Sequence, residues 1–354
     1  MSKLISTAIV GFGMSGEYFH AAFLDANPNF HLKKVVERHG NRSKHLYPYI
    51  EVVRDFTSVL DDDEIELVII NTPNHLHFEM AKKALINGKH VVVEKPFTST
   101  SKEAEELINI ASAQNKLLTV YQNRRWDGDF LTVKKLIESK LLGELVEFES
   151  HFDRFRNYIK PNSWKEEDLP GAGLLYDIAS HLIDQTCCLF GNPLSVFSDV
   201  RTERPSGKII DAFEVILNYG KLKVTLKSNY LSKIPLPRFT LHGTEGSYIK
   251  NGVDPQEEEL KKFGYRKSAE WGTEPPDYWG MLDTKLHGLT FSGEIETIPG
   301  SYSEFYDNLF EAIANGKELA VKPEEAMNTI RIIELALESA KKGCVIKMGS
   351  LPGN

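Results

Sequence analysis

Two short stretches of this chain carry residue types that move protons. The first is Glu94-Lys95-Pro96, which directly follows the apolar run His90-Val91-Val92-Val93. Such a run reads as a buried parallel strand, and open α/β sheets bind ligands at the carboxyl ends of their strands. Lys95 would be delivered to the mouth of a ligand crevice, where an ammonium can serve as acid, base or oxyanion partner. Lys95–Pro96 is also a bond at which the cis isomer is accessible, as in roughly 5% of such bonds in folded proteins. The second stretch runs from Gly171-Ala172-Gly173 through Asp177 to His181 and Asp184. On a helix, Asp177 and His181 are four apart and share a face. Leu174, Ile178, Leu182 and Ile183 would be buried around them, and a carboxylate and imidazole so placed are costly unless paired or used. Histidine titrates near neutrality, which suits proton transfer. Alone, the pair also fits a structural hydrogen bond; beside Lys95 and the loop described next, it favours catalysis.

Gly11-Phe12-Gly13-Met14-Ser15-Gly16 fits G-x-G-x-x-G after a strand and at the start of a helix, the setting of a dinucleotide site. The glycines allow a tight turn and close approach of a pyrophosphate to the positive helix end. Glu37 ends the next strand, about 20 residues on. It would accept hydrogen bonds from the adenosine ribose and repel a 2′-phosphate, whereas Arg38 could pair that phosphate, stack on adenine or stay solvated. The expected cofactor is NAD or NADP, with NAD favoured. Thr72 and Asn74, in the loop after the apolar run 67–71, can bond a ribose or phosphate, or Asn74 can cap the following helix. His77 joins those contacts or packs on that helix. Glu94 and Lys95 complete the cofactor side of the crevice. Asn123 and Arg124 follow the last strand of this region and enter the cleft by geometry. Arg125 joins them or pairs a carboxylate at the domain interface, and Trp126 packs there.

These groups need a scaffold, and the pattern supplies one. Apolar runs at 4–10, 32–36, 67–71, 90–93 and 117–121 alternate with helical stretches at 15–26, 76–87 and 99–115. That alternation predicts a parallel sheet with right-handed crossovers. Thr98-Ser99-Thr100-Ser101, with Glu103 beyond, is helix-capping chemistry. After residue 122 the pattern changes. A helix at 130–139 precedes alternating stretches at 145–155, 211–219, 221–230, 238–243 and 247–250, which predict a mostly antiparallel sheet. Residues 255–299 read as irregular surface loops that could build an interface, and two helices at 302–315 and 324–342 close the chain. The fold class is therefore α/β. Residues 1–122 form a Rossmann dinucleotide-binding domain, and 123–354 an α/β domain for substrate binding and oligomerisation, with an open, mostly antiparallel sheet.

Bulk composition excludes several classes. With 354 residues, a net charge of −8 and no long basic run, the chain is a poor nucleic-acid binder. No stretch of about 18 apolar residues predicts a transmembrane helix. Leu4 runs straight towards Gly11, leaving no room for a signal peptide, so a cytoplasmic location is expected. The 3 cysteines suggest no disulfide framework, and none of the 11 histidines sits in a compact ligand cluster, so no metal is expected.

In order and spacing, the glycine loop, Glu94-Lys95-Pro96 and the run into Asp177, His181 and Asp184 resemble the Gfo/Idh/MocA oxidoreductase family over essentially the whole chain. Residues 121–127 and 148–155 resemble its branch of scyllo-inositol dehydrogenases. Gly171-Ala172-Gly173 stands where that family commonly has a glycine pair. The resemblance implies a homodimer or homotetramer built on the outer face of the second sheet. It implies that Lys95, Asp177 and His181 hold the catalytic positions, in an NAD(P)-dependent dehydrogenase acting on a secondary alcohol of a sugar or polyol. It implies that Trp164 stacks near nicotinamide. Arg124, Tyr158 and Asn157, with Lys95, Asp177 and His181, are the expected substrate contacts. Two rival readings stand beside it: a non-catalytic dinucleotide-binding sensor, against which the intact Lys95 and His181 argue, and a glycosidase that shares these residues and oxidises its substrate transiently.

Overall fold

In the computed structural model, which describes residues 4–286 and 288–349, the apolar runs of the first third form a parallel sheet. Its strands are β1 (Ile5–Val10), β2 (Phe30–Val36), β3 (Glu51–Val53), β4 (Leu67–Ile70), β5 (His90–Val93) and β6 (Leu118–Val120), in the order β3-β2-β1-β4-β5-β6. The direction of winding reverses between β1 and β4, the point where such sheets open a crevice. Val10 pairs with Ile70, and Ile70 with Val93. The residues that leave these three strands, Gly11, Asn71 and Glu94, therefore emerge in register at one edge. The strand residues are almost wholly buried, as a sheet covered on both faces requires. The helix Ser101–Ala113 starts with a capping box: the Glu103 amide donates to Thr100 Oγ1 at 3.2 Å, and the Thr100 amide to the Glu103 carboxylate at 3.0 Å. The Lys95–Pro96 bond is cis.

Packing divides the chain into two compact units that are interleaved in sequence. The first comprises the chain up to Trp126 with Gln256–Trp271 and Ser301–Met327; the second comprises Asp127–Pro255, Gly272–Gly300 and the chain from Asn328. A single cut after residue 122 leaves the two returning segments out of the unit they pack into. Aromatic contacts fasten the later one: Phe305 meets Tyr121 edge-on at 4.8 Å, and Tyr306 stacks on Phe23 at 5.8 Å. Hydrogen bonds add to this, with Thr119 Oγ1 donating to Val321 O at 2.7 Å and Arg125 to Ala320 O and Glu325 at 2.8 Å each.

The second unit holds a nine-stranded sheet of β7 (Leu145–His151), β8 (Ser195–Arg201), β9 (Ala212–Tyr219), β10 (Leu222–Asn229), β11 (Phe239–Gly243), β12 (Gly246–Lys250), β13 (Gly280–Leu286), β14 (Leu289–Ile295) and β15 (Ile346–Lys347). The order is β14-β13-β12-β11-β7-β10-β9-β8-β15, and only the β7–β10 pair is parallel. The expectation of loops across 255–299 fails here. That stretch contains the helix Gln256–Phe263 and the β13–β14 hairpin that extends the sheet. β14 is an edge strand exposed along most of its length, so it lacks the one-sided apolar alternation that marks a strand. Among the described residues, no helix is long and apolar enough to cross a membrane.

Candidate functional site

The glycine loop is held rigidly where it leaves β1. Gly11 has φ +98°, and a Cβ on it would lie 2.3 Å from Asn71 O, so only glycine fits between the ends of β1 and β4. Asn71 Nδ2 donates to Gly11 O at 2.9 Å and pins the turn. A Cβ at Gly13 would meet nothing within 4 Å, so this face of the loop is open. Phe12 is half-buried and Met14 exposed beside it. Thr72, one residue beyond Asn71, has a buried hydroxyl oxygen with no hydrogen-bond partner in the protein. Gly16 then starts a π-helical turn, Gly16–Ala21. An open glycine face, an unmatched hydroxyl and a helix start together fit a dinucleotide pyrophosphate. Asn74 opens a short 3-10 turn, Asn74–Leu76, at the same edge of the sheet.

Several expected contacts are engaged inside the first unit. Glu37 is buried, and its carboxylate accepts the Arg42 amide at 3.1 Å, the Ser43 amide at 2.8 Å and the Ser43 hydroxyl. It caps the start of the helix Arg42–Leu46 instead of standing free for a ribose. Arg38, next to it, is exposed. His77 is fully buried, with Nδ1 2.9 Å from Pro96 O and Nε2 2.9 Å from Thr72 O. It ties the loop after β4 to the backbone just past Lys95, so it braces the crevice edge. Burial pushes its pKa down, against the pull of the two carbonyls and of Glu94. Arg124 is buried, and its Nη2 donates to Glu257 at 2.7 Å, which ties the guanidinium into the first unit. Asn123 is buried at the start of the turn Asn123–Trp126, and Trp126 packs edge-on against Phe305 at 5.9 Å.

Glu94 is also committed within the protein. Oε1 accepts from Ser15 Oγ and from His20 Nε2 at 3.0 Å, and Oε2 accepts the Lys95 amide at 3.0 Å. Burial pushes its pKa up, but the His20 hydrogen bond and charge, Ser15 and Lys95 outweigh this and hold it below the usual carboxylate range.

In the second unit, Asp177 lies in a π-helical turn, Leu175–Ala179, that runs into the helix Ser180–Phe190 carrying His181. Such wide turns recur at functional sites. The turn is anchored at its start, where the Leu174 amide donates to Ile210 O at 2.7 Å. Lys165 Nζ lies 3.7 Å from Asp177 Oδ1. His181 is only 5% exposed, while Asp177 is half-buried. The Tyr230 hydroxyl is pushed up by burial first and by the Asp177 charge second. The loop carrying Tyr158 and Trp164 is fixed by a residue absent from the expectations, Arg204. Its buried guanidinium donates to Asp211 at 2.9 Å, Glu166 at 2.8 Å and Tyr158 O at 2.8 Å. Tyr158 itself is 61% exposed, and Trp164 has Lys165 Nζ 5.7 Å above its ring. Among the described residues, no group of three or more His, Cys, Asp or Glu could hold a metal ion.

Residues 5–122 match the model of the GFO/IDH/MocA oxidoreductase family's NAD-binding Rossmann fold, and residues 134–348 match that of its C-terminal alpha/beta domain. The chain belongs to the Gfo/Idh/MocA oxidoreductase family. It is 38% identical to the scyllo-inositol 2-dehydrogenase (NADP(+)) IolW of Bacillus subtilis, over 96% of this chain and 94% of that one. It is 39% identical to the uncharacterized oxidoreductase YdgJ of Escherichia coli, over 96% and 98%. The solved structure of YvaA from Bacillus subtilis superposes with a TM-score of 0.95 at 37% identity, covering 98% and 99%. Within this Gfo/Idh/MocA chain, sequence reasoning missed Asn71, His20, Tyr306 and Arg204. Tyr306 lies 286 residues from its partner His20, and no local pattern signals such a contact. Asn71 alone had a cue, as the first residue after an apolar run at the crevice edge.

Proposed function

We propose that this chain is a dinucleotide-dependent dehydrogenase that interconverts a secondary alcohol and a ketone on a sugar or polyol ring. One observation carries the reading. Gly11 and Glu94, which precede the open glycine face and Lys95, leave β1 and β5 on either side of β4 in shared register. A proton-handling lysine so close to a dinucleotide loop supports redox chemistry at a carbon–oxygen bond. The named activity of IolW supports the substrate class.

When bound, the dinucleotide supplies hydride exchange at nicotinamide. Gly11, Gly13, Gly16 and Thr72 hold its phosphates and ribose. His181 accepts the substrate hydroxyl proton during oxidation and returns it during reduction. Lys95 donates a hydrogen bond to the same oxygen and stabilises the developing alkoxide. Asp177 orients His181 or binds a second hydroxyl, with Lys165 beside it. Tyr158 offers a phenol on an anchored loop.

The preference for NAD inferred from Glu37 is reversed in this reading. With that carboxylate spent on Arg42 and Ser43, exposed Arg38 is the group free to meet a 2′-phosphate, so NADP is the better cofactor. The NADP(+) linkage in the name of IolW supports the same choice. A homodimer or homotetramer belongs to the reading too: Phe197, Ile249 and Met281 are exposed along one cross-strand row of the nine-stranded sheet. Light scattering would detect it, and a monomer would remove that part.

The test is thermal shift with NAD and NADP, followed by a polyol and keto-sugar panel that includes scyllo-inositol. Expected are turnover of a cyclic polyol and a higher kcat/KM with NADP. Binding without turnover on every panel member would support the sensor reading instead. Release of free sugar from a glycoside without net reduced cofactor would support the glycosidase.

A further inference from the structure

One buried carboxylate joins the glycine loop to the lysine. Glu94 accepts hydrogen bonds from Ser15 in the loop, from His20 one turn beyond it, and from the backbone amide of Lys95. His20 is fixed in turn. Its Nδ1 lies 2.7 Å from Tyr306 Oη, which donates to Phe19 O at 2.8 Å, and its ring packs 4.6 Å from that of Tyr121. His20 and Tyr306 are fully buried and Glu94 nearly so. The unit therefore commits a carboxylate, an imidazole and a phenol to its interior at the end of β5.

Such burial is costly, and apolar residues of similar volume would pack there at lower free energy. An apolar side chain could not do two things that this carboxylate does. It fastens the peptide of Lys95 to the loop beside the open face of Gly13. It also places a negative charge one residue from an ammonium, where the local dielectric is low and Coulomb interactions are strong.

We propose that Glu94 is a positioning residue for Lys95: its buried carboxylate latches the lysine backbone to the glycine loop and sets a negative charge on the residue next to the lysine. This rests on Lys95 being the proton-handling lysine of the proposed function. The titratable groups facing the carboxylate are Lys95 from its own segment, His20 from the turn after the glycine loop, and Tyr306 from the returning segment. Tyr121 after β6 and His77 behind Pro96 lie in the same cluster.

The test uses cofactor-free protein. Lysines are dimethylated with 13C-formaldehyde, the Lys95 signal is identified by its loss in Lys95→Arg, and its midpoint is followed by NMR against pH. Glu94→Gln should lower that midpoint by about one pH unit or more, the effect of losing a nearby opposite charge. Glu94→Asp keeps the charge and should restore most of it. An unchanged midpoint in Glu94→Gln overturns the proposal. If Glu94→Gln does not fold, Ser15→Ala cuts only the tie to the loop. The Lys95 amide should then exchange its hydrogen about tenfold faster, the worth of one charge-assisted hydrogen bond. Exchange at the wild-type rate overturns the latch. Neither readout needs turnover, so a wild-type protein inactive on every polyol would sink the proposed function and leave this inference standing.

Discussion

At the residue scale, the candidate chemistry reduces to three side chains with different surroundings. Lys95 follows a latched backbone, His181 is nearly buried on a helix, and Asp177 is half-buried in the wide turn before it. General acid–base groups contribute typically about 10²–10⁴ in rate. Lys95→Ala and His181→Ala should therefore each lower kcat by about that factor, while the thermal shift with NADP persists. Near-normal kcat in either variant would remove that residue from the reaction. His77 belongs to a different class. Its ring lies between two buried carbonyls at the crevice edge, the single N–H of the neutral imidazole donates to one of them, and an unsatisfied buried polar group costs about 1–3 kcal/mol. His77→Ala should lower Tm by several degrees, and a variant as stable as wild type would show that water or rearranged backbone satisfies those carbonyls instead. The placement of Lys95 past a strand end, and of Asp177 and His181 on a helical turn and the helix it runs into, was legible because each sits beside a local landmark. The engagement of Glu37 and Arg124 was not. Ser43 holds Glu37 through a helix too short to show periodicity, and the partner of Arg124 lies 133 residues away.

At the scale of elements, the parallel sheet was plain because fully buried strands read as unbroken apolar runs. β3, with only three residues, and β14, exposed along most of its length, carry no such signal. The Asp177–His181 spacing survived for a reason the sequence did not show. The turn is π rather than α at Asp177, yet residues four apart stay on nearly one face in either geometry. The glycine loop gives a test of element against ligand. Gly11→Ala forces a Cβ to 2.3 Å from Asn71 O at a φ of +98°, so the apo protein itself should lose stability. Gly13→Ala meets nothing within 4 Å and should leave the apo Tm unchanged. Its methyl group would occupy the open face, so the thermal shift with NADP should shrink or vanish. A Gly13→Ala protein that binds NADP as tightly as wild type would mean that the dinucleotide does not cross this face.

At the scale of the whole molecule, stability should depend on pH in a way set by groups now tied into the fold. His77 has a folded pKa below its ordinary 6.5, Glu94 one below its ordinary 4.5, and Asp62 one far below its ordinary 3.8. For His77 the cause is burial. For the two carboxylates burial acts the other way and is outweighed, at Glu94 by His20 and at Asp62 by Lys33 and Lys34. In each case the unfolded chain binds protons more readily than the folded one, so stability is full above the ordinary value and drains as pH falls towards the folded one. Two stages follow: a first loss below 6.5 from His77, then a steeper one below 4.5 as the carboxylates join. Two tyrosines act at the other limit. Burial raises Tyr306 well above its ordinary 10.0 and Tyr47 to about 12, so their contribution holds at neutral pH and is lost only in strong alkali. The returning segment that carries Tyr306, invisible to any local reading of the chain, thus shares in the buried cluster around Glu94. Tm measured between about pH 4 and pH 8 should be flat near neutrality and fall in those two stages on the acid side. His77→Gln, which cannot take up the proton, should abolish the first stage and keep the second. A first stage that persists unchanged in His77→Gln would assign it to another histidine.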